Sequence, residues 1–389
     1  MKTEGASSSE RAGILAREFA RRAADHDRHA TFPFENFEAL KNAGLLGLTV
    51  PVEYGGRGAG LLETCEVLGA IASGDASAAL VLAMQYLMHA TIARSPTWPP
   101  HIREMVARDA VEQGGLINAL RVEPELGTPA RGGMPATTAE QVADGWRVSG
   151  HKIYSTGIPI LSWLMVWAKT AEAEPRVGMF LVPAKTAGVR IVETWDHLGM
   201  RASGSHDVIF ERALISHDYA VDVREPSAWA VRDDVQAAWY TIAIAALYNG
   251  VARAARDWLV TYLTERTPTA LGAPLATLPR FQEAVGEIDG RLLTNRVLIE
   301  SAALRTDNGS PPPATESGLI KMTVTTNAIA AVERAVELIG NPGLSRANQI
   351  ERHLRDVLCS RIHTPQNDSI LLAAGRAAFK APDERGERP

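Results

Sequence analysis

The chain has 389 residues, 46% of them hydrophobic and 22% charged, enough to bury a sizeable core and to divide into two or three domains. Its formal net charge of -5 excludes a surface built to neutralise phosphates, which needs a basic excess or stripe, and so predicts no nucleic-acid partner. The two cysteines, Cys65 and Cys359, lack a CxxC partner or a histidine at ligand spacing, which argues against a disulfide framework or structural zinc and predicts no metal.

From about Glu10 to Glu112 apolar residues recur at helical spacings: Ala12, Leu15 and Phe19, then Phe37, Leu40 and Leu45, then Leu62, Val67, Leu68 and Ile71. Breaks fall at Gly44 and where Pro and Gly gather at 51–60 and 96–100. Residues 1–115 are therefore predicted as an N-terminal helical domain. Over 116–222 the texture changes to short β-prone runs at 146–149, 163–167, 177–182 and 207–210. Asp144-Gly145 is a hairpin signal, and the segment predicts a compact antiparallel sheet or barrel. Long helical patterns return over 223–389, interrupted at 309–313 and 340–343.

This helical, β, helical order is an α+β arrangement and argues against a doubly wound dinucleotide fold, which needs a βαβα rhythm. The first thirteen residues lack the apolar core of a signal peptide, and the run 237–247 is too short to span a bilayer. The expectation is a cytoplasmic protein with no membrane partner. No GxxxxGK[ST], GxGxxG after a strand, HExxH or GxSxG occurs, so P-loop, Rossmann, zincin and hydrolase chemistries lack their mechanical parts. Periodicity alone names no reaction.

Five segments in order carry a resemblance: VPVEYGG at 50–56, GHKIYSTG at 150–157, LGMRASGSHD at 198–207, VELIGNPG at 336–343 and ERHLRD at 351–356. Together they resemble the acyl-CoA dehydrogenase superfamily over nearly the whole chain. That resemblance implies an N-terminal helical domain, a central antiparallel β-domain and a C-terminal four-helix bundle, assembled as a homotetramer or homodimer, with flavin bound where the domains meet. Tyr154 then falls where an aromatic ring packs on the isoalloxazine, and Thr156 where backbone and hydroxyl contact the flavin edge. Thr128 replaces a serine at the pyrophosphate. Arg266 matches a basic residue reaching the pyrophosphate of a neighbouring subunit. Gly340 and Gly343 bound a turn near the adenosine, and Gln366 is a further polar flavin contact. Glycines and hydroxyls suit such a site because backbone N–H groups approach phosphate oxygens closely where no Cβ intrudes. The implied cofactor is FAD, with FMN as the alternative because Arg266 is followed by TPTAL rather than the family's Phe-Gly.

The resemblance breaks at the catalytic base. Taking a proton α to a thioester requires a carboxylate within hydrogen-bond reach, but counting forward from Arg355-Asp356 puts Thr364 at the family's usual position. Aligning the first long C-terminal helix through Gly250 puts Tyr240 at the minority position, beside Thr241 where thioester-binding relatives carry arginine. A tyrosine with a pKa of about 10 replaces a carboxylate poorly.

These positions look more like the flavin-dependent monooxygenases of the same fold, of the dibenzothiophene monooxygenase kind. Those enzymes take reduced flavin from a separate reductase, add O2 to form a C4a-hydroperoxide and pass one oxygen to substrate. In that reading His363 takes the place of their C-terminal active-site histidine and Ser155 that of a serine near the flavin. His89 and Asn118 are further catalytic candidates, and imidazole's ordinary pKa of about 6.5 suits proton donation. Trp239, Tyr240, Tyr86 and Met88 are candidate pocket liners. The expected substrate is small and apolar, aromatic or organosulfur. An acyl-CoA or acyl-carrier dehydrogenase with a displaced base, with Glu123 or Asp207 as nearby acids, is the alternative, and a binding subunit without catalysis is the third.

Overall fold

A computed structural model describes residues 5–126, 133–230 and 233–379. The N-terminal part contains α1 (Ser8–Ala20), α2 (Ala23–His29), α3 (Phe34–Asn42), α4 (Leu61–Gly74), α5 (Ala76–Arg94) and α6 (Pro100–Glu112). Helix α1 starts at a reciprocal cap, where the Ser7 hydroxyl accepts from the Glu10 amide and the Glu10 carboxylate accepts from the Ser7 amide, satisfying two donors a helix start leaves open. Its Ala12, Ala16 and Phe19 face inward. Helix α5 begins at Asp75, whose carboxylate accepts from the amides of Ser77 and Ala78.

Helix α5, not the 237–247 run, is long and apolar enough to cross a bilayer by length and composition, but 83% of its apolar window is buried inside the fold. Buried on nearly every side, it has no amphipathic period and serves as the central core helix.

Eight strands follow: β1 (Leu116–Leu120), β2 (Thr138–Val142), β3 (Gly145–Lys152), β4 (Leu161–Thr170), β5 (Val177–Pro183), β6 (Val189–Val192), β7 (Asp207–Ile215) and β8 (Ala220–Arg224). They form one curled sheet in the order β6-β7-β3-β2-β4-β5-β8, with β1 paired to β4. The β2–β3 hairpin pairs Val142 with Gly145, so the turn residues are Ala143 and Asp144, one position before the expected pair. Most pairs are antiparallel, but β1 and β2 both run parallel to β4. The sheet is therefore mixed, because residues 153–160 carry the chain across from β3 instead of turning back, and β4 enters beside β2.

The C-terminal part comprises α7 (Asp234–Glu265), α8 (Pro279–Asp307), α9 (Ala314–Ile339), α10 (Gln349–Leu358) and α11 (Asn367–Ala378). Helix α7 packs on α9, α8 and α4, α10 on α7 and α9, and α11 on α9, so that α10 and α11 share the fourth place of the bundle. Helices α4 and α7 cross at two glycines: a Cβ on Gly250 would sit 2.3 Å from the Gly69 carbonyl oxygen and 2.9 Å from its Cα. Gly250→Ala should therefore destabilise the chain by about 1–3 kcal/mol through overpacking, read as a lower denaturation midpoint; an unchanged midpoint would contradict this crossing.

Candidate active site

Helix α5, strand β1 and the 153–157 loop converge. The Gln85 side chain accepts from the Ile117 amide at 2.8 Å, which fixes α5 against the start of β1. One residue on, Asn118 donates through Nδ2 to the Thr156 carbonyl at 3.0 Å, and its Oδ1 accepts from the Ala119 amide at 2.7 Å. At Gly157 a φ of 79° and a 2.6 Å approach of an added Cβ to Val81 Cγ1 allow only glycine, so the loop lies directly on α5. His89 stands one turn beyond Gln85 on the same helix. Asn118, Thr156 and the α5 surface are thus brought together from three separate elements.

Within the loop, Tyr154 has a φ of 57° and its ring is 52% exposed. It meets His197 edge-on at 5.8 Å, while His197 stacks on Trp195 at 3.6 Å; this aromatic group was not singled out in the sequence. Ser155 is buried, and its Oγ has no hydrogen-bond partner. The Thr156 hydroxyl accepts from Ser205 at 3.0 Å. His89 Nε2 is likewise buried without a partner, and burial pushes the imidazole down to about 4. Buried polar atoms are usually matched, so Ser155 Oγ and His89 Nε2 are free to hydrogen-bond a bound group.

His363 lies in the link between α10 and α11. Its Nδ1 is 2.6 Å from the Tyr248 hydroxyl on α7. Lys321 on α9 holds this link by donating to the carbonyls of Ser360 at 3.2 Å, His363 at 3.0 Å and Pro365 at 3.1 Å. Burial, helped by the Lys321 charge, pushes His363 down to about 4, while burial raises the Tyr248 phenol. The ordinary imidazole pKa expected from sequence is therefore corrected: His363 is neutral near pH 7. Because the phenol keeps its proton and donates it, Nδ1 accepts and Nε2 carries the ring hydrogen. Among the described residues no hydrogen bond joins His363 to Ser155, His89 or Asn118.

The acids are committed elsewhere. Glu123 accepts from Lys152 at 2.6 Å, the Thr137 hydroxyl at 2.6 Å and amide at 3.0 Å, and the Ala136 amide at 2.7 Å. Asp207 binds His151 at 2.7 Å and Thr194 at 2.7 Å, and Asp356 accepts from the Met200 amide at 2.7 Å. Tyr86 is a core residue, fully buried and donating to the Leu45 carbonyl at 2.7 Å.

Thr128 lies outside the described residues. Arg266 is exposed at the end of α7. Gly340, with a φ of 66°, ends α9, and the buried Gly343 closes a one-turn helix there, where a Cβ would lie 2.9 Å from the Val336 carbonyl oxygen. Gln366 is the residue that precedes α11. Arg266, Gly340, Gly343 and Gln366 all stand at or beside helix ends of the C-terminal part. Among the described residues no set of three or more His, Cys, Asp or Glu side chains could hold a metal ion.

Three family models cover the chain in order: acyl-CoA dehydrogenase N-terminal domain at 8–97, middle domain at 122–213 and C-terminal domain at 237–376. The chain belongs to the acyl-CoA dehydrogenase family, whose members are flavin-dependent oxidoreductases. It is 31% identical to YdbM of Bacillus subtilis, which is named as an acyl-CoA dehydrogenase, over 96% of both chains. It is 29% identical to the L-evernosamine nitrososynthase of a Micromonospora strain, over 94% of this chain and 88% of that one. Among solved structures, KijD3 in complex with FMN and a dTDP-linked amino keto sugar matches at 28% identity with a TM-score of 0.83, covering 96% of this chain and 94% of that one. The dibenzothiophene monooxygenase TdsC of Paenibacillus shares the fold at 22% identity with a TM-score of 0.80, over 96% and 97% of the two chains. The fold is thus shared by a protein named as an acyl-CoA dehydrogenase and by a dibenzothiophene monooxygenase.

Proposed function

We propose that the chain is the oxygenase of a two-component flavin monooxygenase, supplied with reduced flavin by a separate reductase and passing one atom of O2 to a small apolar or aromatic substrate. One observation carries this reading. Beside Thr364, where the family's dehydrogenases keep a carboxylate, stands a half-buried neutral His363 held by Tyr248, and Glu123 and Asp207 are both tied up by hydrogen bonds.

The residues present fit a flavin. Tyr154 offers an exposed ring, Thr156 a hydroxyl and backbone beside it, and Ser155 Oγ and His89 Nε2 are buried polar atoms without partners. Tyr154 and Thr156 would hold the ring system, with Arg266 and the Gly340–Gly343 turn serving the pyrophosphate and adenosine end of FAD; FMN, the flavin of the KijD3 complex, has a single phosphate and no adenosine and would not need that turn. Bound in its reduced form, the flavin supplies the electrons that activate O2. Ser155 and the Nε2–H of His363 would donate hydrogen bonds to the oxygen being transferred, and the buried setting would keep water from discharging it early. A homotetramer or homodimer would bring Arg266 to a neighbouring subunit's site.

The similarity to YdbM supports a second reading, an acyl-CoA dehydrogenase with a displaced base. The two separate cleanly. With a flavin reductase, oxygen-18 gas, and indole and dibenzothiophene as probes, the monooxygenase reading expects label in the product and no product without reductase. Substrate oxidation without O2 or reductase would defeat it.

A further inference from the structure

Arg121 follows β1 three residues after Asn118 and turns toward the apolar cluster that Ile117 and Ala119 join, together with Met88, Ile92 and Trp167. Its guanidinium carbon lies 5.0 Å from the centroid of the Trp167 ring. Arg121 Nε is buried with no hydrogen-bond partner, and so is Trp167 Nε1. Two neighbouring donors, one of them on a cation, are therefore out of water and unmatched.

Among the described residues no carboxylate beside Arg121 is free to accept from it. Glu123, two residues on, is occupied by Lys152, Thr137 and Ala136. Lys152 adds a like charge: burial first, and then the Arg121 charge, push its pKa down to about 8. Tyr240 on α7 is the phenol within electrostatic reach, and burial raises it, so it stays neutral. Leaving a buried donor unpaired is costly, and more so on a charged group. Such a cost persists where a ligand removes it. The walls are aromatic: Trp229 meets Trp167 edge-on at 4.6 Å, and its own indole N–H is satisfied by the Val177 carbonyl.

We propose that Arg121 and Trp167 form a carboxylate-binding corner of the substrate site, so that the substrate is a small aromatic or heteroaromatic acid. Its carboxylate accepts from Arg121 Nε–H and Trp167 Nε1–H, and its ring packs against Trp229 and Tyr240. This rests on the proposed monooxygenase reading, and it adds the charge of the substrate.

The test is calorimetric binding of 2-naphthoate against neutral 2-naphthamide, under anaerobic conditions, to flavin-free and to oxidised-flavin protein. Charge-assisted hydrogen bonds predict at least about tenfold tighter binding of the acid. Arg121→Gln should abolish that preference, Arg121→Lys should keep part of it, and Trp167→Phe should weaken it several-fold, with circular dichroism confirming that each variant is folded. No saturable binding of naphthoate to the wild-type protein, no preference over the amide, or an undiminished preference in Arg121→Gln overturns the proposal. A variant that loses flavin affinity while keeping the acid preference assigns Arg121 to the cofactor and also overturns it. Because no turnover is measured, failure of oxygen transfer would leave this result standing.

Discussion

Glu123→Ala is expected to lower stability by about 3–5 kcal/mol, the cost of leaving a buried charge without its partner. Lys152 and Glu123 are 0% and 2% exposed, and their contact at 2.6 Å ties the end of β3 to the segment after β1. Burial pushes Lys152 down to about 8 against the pull of Glu123. Burial also raises Glu123, but Lys152, Thr137 and the Ala136 amide outweigh it and hold the carboxylate below its usual range. Glu123 therefore contributes stability above its unfolded pKa of about 4.3, and that contribution is lost as pH falls through the lower folded value. Lys152 works the other way: from about 8 to its unfolded 10.5 the folded chain binds fewer protons, so its term grows more favourable as pH rises. The deficit of Glu123→Ala should thus be largest near neutral pH and shrink toward about pH 10. Glu123→Leu combined with Lys152→Met should recover only part of it, since the apolar pair removes the unpaired charge but leaves the Ala136 and Thr137 amides without their acceptor. Urea denaturation followed by tryptophan fluorescence measures all three; a Glu123→Ala loss under about 1 kcal/mol would show that the pair is not buried as described.

The second large effect is at His363. His363→Ala should lower the yield of oxygenated product per O2 consumed by about 100-fold to 1000-fold, the scale on which removing one preorganised donor acts. Tyr248→Phe leaves the imidazole in place but frees its tautomer and should cost about tenfold, the worth of one strong hydrogen bond. Because burial holds His363 near 4, the acid limb of the pH profile should not fall between about pH 5 and 8, where an ordinary histidine titrates. A fall centred near pH 6.5 in the wild-type enzyme and absent from His363→Ala would contradict the burial of this ring. The same depressed pKa adds to acid unfolding, since the unfolded chain binds a proton between 6.5 and about 4 that the folded chain refuses.

Much of the architecture was legible because it depends on local signals. Helical spacing at Ala12, Leu15 and Phe19 falls within α1, Gly44 follows the end of α3, and the Asp144-Gly145 signal finds the β2–β3 hairpin one position late, each by interactions within a few residues. The parallel pairing of β1 and β2 with β4 was not legible, because it follows from the path of 153–160 rather than from strand composition. Helix α5 was understated, since burial on all sides removes the periodicity by which helices are read. In the site, Asn118, Ser155 and Thr156 could be named from a motif and are found together. His363 could be named, but not its state: that is set by Tyr248, 115 residues away, and by Lys321. Glu123 looked like a free acid until Lys152 was seen to bind it. Arg121 escaped notice altogether, since no motif marks an arginine whose meaning is a missing counterion.

The central claim is that this acyl-CoA dehydrogenase fold carries oxygen transfer in place of α,β-desaturation. Its most direct test is rapid mixing of the reduced-flavin protein with O2, following O2 uptake and hydrogen peroxide release together, beside an anaerobic titration of the oxidised-flavin protein with butyryl-CoA. Peroxide release should lag well behind O2 uptake, and butyryl-CoA should leave the flavin colour unchanged. Anaerobic bleaching by butyryl-CoA, with peroxide appearing as fast as O2 disappears, would contradict it.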